Sequence, residues 1–133
     1  MKGIEIKELK KHVDSRGWLA EFFRPELVES EKLGQVTITT AHPGIVKANH
    51  YHKRKTEWYC VIKGEMKLAL KNIQTGEKGD IILNENELKL VKISPEISHG
   101  FKNTGKDLLF LLMYIDEPFS PDDPDTFPDI VIE

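Results

Sequence analysis

The sequence predicts an all-β domain, an antiparallel sandwich or barrel of about ten short strands. Three observations predict it. Short runs rich in β-branched and aromatic residues, many of them alternating, recur through the 133 residues. Turn signals separate them at His42-Pro43-Gly44, Lys63-Gly64, Thr75-Gly76, Gly79-Asp80 and Asn103-Thr104-Gly105. Helical periodicity is nearly absent. Strands at this spacing close into a sandwich or barrel, and a chain of this length forms one domain able to bury a real core.

In chain order, strands are expected at IEIKEL, WLAEFF, QVTITT, IVKANHYH, EWYCVIK, EMKLAL, DIILN, LKLVKI, ISHGFK and LLFLLMYI. The first two fall in an N-terminal strand segment, residues 1–34. One short helix is expected over Pro25 to Lys32, because proline suits a first helical position. The last strand is apolar on both faces. Leu108, Phe110, Leu112 and Tyr114 share one side, and Leu109, Leu111, Met113 and Ile115 the other. One face therefore lines the core and the other meets a covering segment or a second subunit, which points to a homodimer. Residues 116–133 form a C-terminal arm rich in proline and aspartate. The arm is expected to be irregular, with Phe119 and Phe127 packing it down.

Composition excludes several function classes. A net charge of −3 gives no global attraction to nucleic acid or to an anionic membrane, and Lys53-Arg54-Lys55 is only a local patch. The single cysteine, Cys60, has no partner for an internal disulfide, which suits a cytoplasmic setting. The start, MKGIEIKELKK, alternates and lacks the apolar core of a signal peptide. The longest apolar run is too short to cross a bilayer.

The richest stretch runs from Gly44 to Gly64. His50 and His52 sit two apart in a strand and point to one face. Glu57 opens the next strand, so two imidazoles and a carboxylate stand at metal-ligand spacing on neighbouring strands. The stretch resembles the first motif of the cupin family, G-x5-H-x-H-x3–4-E-x6-G, at every fixed position. Downstream, Ile93 to Asn103 resembles the second motif through His99 and Asn103, with Ser94 and Glu96 in place of its proline and glycine. The resemblance implies a single-domain jelly-roll barrel, the double-stranded β-helix. Its ligand set would be His50, His52, Glu57 and His99 around a divalent metal such as zinc, nickel, iron or manganese. A metal-free set of polar residues lining a barrel mouth is the alternative.

Further pieces resemble particular cupins. Asp14 to Arg24 is similar to the D-x-R-G-x-F-x-E-x-F signature of dTDP-4-dehydrorhamnose 3,5-epimerases, which implies sugar-nucleotide contacts for Arg16 and Glu21. Gln35, Thr37, Lys47 and His50 match positions of the same family's substrate site, with His50 as the catalytic base and Tyr114 near the catalytic tyrosine. The ending Y-I-D-E-P-F-S-P-D-D-P-D-T-F resembles the cupin domain of capsular-polysaccharide enzymes acting on UDP-4-keto sugars. His52 stands where the epimerases carry glutamine, and Lys47-Ala48 where they carry Arg-Gly; both departures move the site towards a metal-binding form.

The implied activity is epimerisation or isomerisation of a 4-keto-6-deoxy hexose nucleotide in surface-polysaccharide synthesis. A ketone acidifies the protons on its neighbouring carbons, a histidine of near-neutral pKa accepts one, and a tyrosine returns it from the other face. Lys47 or a metal would stabilise the enolate oxygen. A His50 that ligates metal has no free lone pair, which leaves Tyr51, Tyr59 and His99 as other proton carriers. Strict alternation also points Lys47 away from His50 unless the strand bulges. Trp58 reads as core, Trp18 divides between packing and nucleotide stacking, and Asp14–Arg16 divides between a turn-stabilising pair and nucleotide binding. A metal-dependent cupin of another class, such as an iron dioxygenase, and a non-catalytic sugar-binding module are the rival functions.

Overall fold

A computed structural model describes all 133 residues. The strands are β1 (Ile4–Glu8), β2 (His12–Asp14), β3 (Gly17–Leu19), β4 (Gln35–Ala41), β5 (Val46–Tyr51) and β6 (Glu57–Lys63). They continue as β7 (Glu65–Asn72), β8 (Lys78–Asn84), β9 (Lys89–Ile93), β10 (Ile97–Asn103), β11 (Leu109–Ile115) and β12 (Phe127–Pro128). Two five-stranded antiparallel sheets, ordered β1-β9-β6-β11-β4 and β12-β5-β10-β7-β8, make the jelly roll. The hairpin β2-β3 forms a small sheet of its own.

Alternation sorts the side chains into two clusters. Tyr59, Val61, Met66, Leu68, Phe101 and Leu111 belong to the larger one, which draws residues from both sheets. Each such side chain contributes about 1.5–3 kcal/mol when fully buried. The opposite face of β6 and β11 gives Trp58, Cys60 and Tyr114 to a second cluster with Leu9, Val28 and Leu90. Trp58 is core, as its parity predicts. The outer face of β11 is thus covered near Tyr114, while Val36 and Ile38 on the adjoining strand β4 remain 57% and 63% exposed.

Three local expectations are corrected. The helix α1 spans only Pro25–Val28, because Glu29 takes a left-handed conformation and ends it after one turn. The run WLAEFF yields only the short β3, since residues 20–24 leave the hairpin without strand pairing. The arm is not wholly irregular: Phe127 and Pro128 pair with Tyr51 and His50 as the edge of the second sheet.

One irregularity matters for the site. The β5–β10 register shifts between His99 and Gly100, so His50 opposes His99 while Lys47 opposes Phe101. Ala48 and Asn49 absorb the extra residue with φ of 70° and 58°. The bulge puts Lys47 and His50 opposite two residues of the same β10 face. The Asn49 side chain fills the space beside Gly100, where an added Cβ would lie 2.3 Å from Asn49 Oδ1.

Candidate metal centre

His50, His52, Glu57 and His99 converge at one end of the core, their donor atoms all within 4.8 Å of one another. The β5–β10 ladder sets His50 against His99, with ring centroids 4.9 Å apart. Glu57 arrives from the first residue of β6, which places one carboxylate of the first sheet against the His50 and His99 imidazoles of the second and against His52, the residue just past β5.

Hydrogen bonds orient two of the rings. His52 Nδ1 lies 2.6 Å from the Asp125 carbonyl, and His99 Nδ1 lies 3.0 Å from the Ile97 carbonyl. A carbonyl only accepts, so in the neutral ring each Nδ1 carries the proton and each Nε2 presents a lone pair. Both Nε2 atoms approach Glu57 Oε2, at 3.5 Å from His52 and 2.7 Å from His99. These approaches lack hydrogen-bond alignment, and His52 Nε2, His99 Nε2 and Glu57 Oε2 are buried without a partner. Orphaned buried polar atoms are costly and call for a ligand.

The electrostatics agree. Burial alone would raise the Glu57 carboxyl, but the positive charge that His99, and then His52, carries when protonated outweighs it and holds the group well below the usual carboxylate range. Burial would lower His52, yet Glu57 and the Asp125 carbonyl raise it. His50 is half-buried; burial, reinforced by His99, pushes it down to about 4, so it is neutral at pH 7.

This donor set fits a divalent ion. Ligands about 2.0–2.2 Å from a shared ion stand roughly 4 Å or less from one another, close to the span of the four atoms. Three imidazoles and one carboxylate suit zinc, nickel, iron or manganese.

The other expected site residues divide into two groups. Gln35 and Thr37 project from the face of β4 that opposes Ile115 and Met113, and Gln35 Nε2 donates to Thr37 Oγ1 at 3.1 Å. Lys47 Nζ crosses to β4 and donates to Thr39 Oγ1 at 3.0 Å and to the Thr40 carbonyl at 2.7 Å. Arg16 and Glu21 do not meet the four donors within one chain. Arg16, with its side chain 87% exposed, pairs with Asp14 at 2.5 Å on the β2-β3 hairpin, and Glu21 pairs with Arg24.

Tyr114 is a correction. It faces the second cluster, away from the four donors, and is fully engaged: its hydroxyl donates to the Lys32 carbonyl at 2.8 Å and accepts from Gly34 N at 3.1 Å. The parity of β11 that buries Leu111 inward turns Tyr114 outward. Tyr59 takes the inward place, with its ring 5.7 Å from that of His99. Asp125 and Asn49, which tie the arm to β5, are assigned no role by any motif of the sequence. The only available signal was an aspartate-rich arm carrying aromatic residues.

The family profile described as the polysaccharide biosynthesis C-terminal domain matches residues 12–127. The chain belongs to this family. Among its relatives is a UDP-2-acetamido-2,6-beta-L-arabino-hexul-4-ose reductase of Pseudomonas aeruginosa, 34% identical over 116 residues. That match covers 87% of this chain and 30% of the relative, so the chain spans about a third of that protein's length. The spore coat polysaccharide biosynthesis protein SpsL of Bacillus subtilis is 28% identical over 92% of this chain and 85% of its own length. In fold, the chain superimposes on a dTDP sugar isomerase of Desulfovibrio desulfuricans with a TM-score of 0.88, over 98% of this chain and 85% of that one, at 19% identity. The cupin jelly roll expected from the motifs is the fold of this domain.

Proposed function

We propose that this domain is a sugar-nucleotide epimerase or isomerase acting on a 4-keto-6-deoxy hexose in surface-polysaccharide biosynthesis. The convergence of His50, His52, Glu57 and His99 in a domain of a polysaccharide-biosynthesis family carries this reading. His52, Glu57 and His99 would hold a divalent ion there, and it would supply positive charge beside the ketone oxygen.

The division of labour follows from burial. His52, Glu57 and His99 are the buried donors with orphaned atoms, and two histidines with one carboxylate suffice to hold an ion with an open position. His50, only half-buried and outside that three-ligand set, is then placed to accept the proton beside the ketone. Gln35, Thr37 and Lys47 orient the sugar, and Lys47 retains a third N–H beyond the two directed to Thr39 and Thr40. Tyr59 replaces Tyr114 as the tyrosine whose ring packs on the donor-cluster side.

Arg16 serves the nucleotide from the projecting hairpin, whose Val13 and Leu19 are 71% and 61% exposed. A second copy completes the site in this reading, and the exposed Val36 and Ile38 suit a homodimer interface. The deciding experiment is incubation with dTDP- and UDP-4-keto-6-deoxyglucose in deuterated water. Exchange at C3 or C5 supports the proposal. Absence of exchange with both substrates, in metal-loaded protein that binds them, rejects it in favour of a binding module.

A further inference from the structure

We infer that the C-terminal arm is a working part of the metal centre, with Asp125 as the positioning residue that sets the tautomer and direction of His52. This rests on the reading of His52, Glu57 and His99 as a metal site.

Asp125 meets the strand that carries the histidines with both ends of the residue. Its carbonyl faces His52 Nδ1 at 2.6 Å, the contact that leaves Nε2 as the free lone pair. Its carboxylate gathers three successive backbone amides of the β5–β6 loop. Oδ1 accepts from Lys53 N at 3.1 Å, and Oδ2 accepts from Arg54 N at 3.0 Å and Lys55 N at 3.2 Å. Asp125 is only 6% exposed and sits at φ 45°, in the left-handed region. A side chain rarely adopts that conformation unless its surroundings require it. Here the turn lets the carboxylate and the carbonyl address adjacent parts of one loop.

The rest of the arm holds Asp125 in place. Arg54 clasps Glu117 and Asp123, and the Phe127 ring stacks on Tyr51 with centroids 5.3 Å apart. Beyond the short β12 pairing, Asn49 Oδ1 accepts from Val131 N at 3.0 Å and Ile132 N at 3.2 Å, while its Nδ2 donates to the Ile132 carbonyl at 2.9 Å. Asn49 is the bulge residue beside His50, so the arm grips the ligand strand on both sides of the histidine pair. Groups that hydrogen-bond a ligating imidazole fix its ring and raise its basicity, and their loss costs about 10–100-fold in metal affinity. Linkage makes the effect reciprocal: an ion that favours the docked arm must also hold it down.

The test uses the whole chain, zinc as the probe, and two readouts independent of activity. Competition with a chromophoric chelator gives the zinc affinity of the wild type and of Asp125→Ala, with Asp125→Asn as the milder variant. Nitrogen-15 NMR of the metal-free protein reports which His52 nitrogen carries the proton. The expected result is a wild-type His52 protonated at Nδ1, with zinc affinity lowered at least tenfold by Asp125→Ala and less by Asp125→Asn. Zinc should also slow amide hydrogen exchange at Lys53, Arg54 and Val131 in the wild type, a measurement that needs no variant. A wild type that binds zinc with unchanged exchange, or variants that hold zinc as tightly as it does, would overturn the inference. Wild-type protein that binds no zinc instead rejects the metal reading, and an Nε2–H tautomer of His52 then rejects the positioning role as well.

Discussion

His99 Nε2 stands 2.7 Å from Glu57 Oε2, a buried imidazole and a buried carboxylate from opposite sheets that meet without hydrogen-bond alignment. Aligned partners would satisfy each other; these two and His52 Nε2 instead lie within 4.8 Å of one another, as the ligands of one ion would. In protein reconstituted with zinc, manganese or iron, His52→Ala and Glu57→Gln should each lower metal content sharply by elemental analysis. His50→Asn should retain the ion while abolishing deuterium exchange beside the ketone. Loss of metal in His50→Asn would make it a fourth ligand and move the proton transfer to another group.

Acid should destabilise the metal-free protein in two steps. His50 titrates near 4 when folded but in the ordinary range near 6.5 when unfolded, so the unfolded chain binds more protons between these values. Stability is therefore lost as pH falls from about 6.5 towards 4. Glu57 acts in the same direction at lower pH: its folded carboxyl lies below its usual range, and its contribution disappears as acid protonates it. His52, which is raised, opposes the trend, since its contribution is present in acid and lost as pH rises. Melting temperatures in chelator should fall between pH 6.5 and 4.5, and His50→Asn should flatten that slope. An unaltered slope in the variant would assign the acid sensitivity elsewhere.

Much of the fold was legible because strand alternation and turn residues are local signals. The four converging donors were legible for the same reason: His50 and His52 needed only period-two parity, and Glu57 and His99 open or lie within clear strands. What failed was long-range or depended on one residue of register. Tyr114 stands one position from an inward place on β11, so one residue of register separates a core tyrosine from one facing the donors. The Ala48–Asn49 bulge, which returns Lys47 to the histidine face, leaves no reliable mark in composition. The grip of Asp125 on residues 53–55 joins segments about seventy positions apart, which no local pattern encodes.

Glu96 occupies a turn at φ 64°, where the second cupin motif carries glycine. A residue with a Cβ is disfavoured there by roughly 1–2 kcal/mol. The strain is held because Glu96 N donates to the His52 carbonyl at 2.7 Å, fixing the approach of β10 to the ligand strand. Glu96→Gly should therefore stabilise the protein by about 1 kcal/mol, less the loss of the Gln74 contact and the added entropy of the unfolded chain. Urea denaturation checks this. A destabilised variant would show that the Gln74–Glu96 pair outweighs the backbone strain.

Tyr114→Phe should be a stability variant and not a catalytic one. The hydroxyl joins Lys32 and Gly34, fastening the segment that leads from α1 into β4, and it lies 3% exposed with its ring against Trp58 and Phe23. Phenylalanine keeps the ring packing but strands the Lys32 carbonyl and the Gly34 amide in a partly buried setting. The expected loss is about 1–3 kcal/mol, the usual consequence of leaving buried polar groups unpaired. Deuterium exchange and net inversion of the 4-keto sugar should proceed at wild-type rates below the melting transition. Tyr59→Phe should do the opposite, sparing exchange while lowering inversion, because its ring packs against His99 on the donor-cluster side. A Tyr114→Phe protein that remains as stable as the wild type but loses inversion would return the acid role to Tyr114.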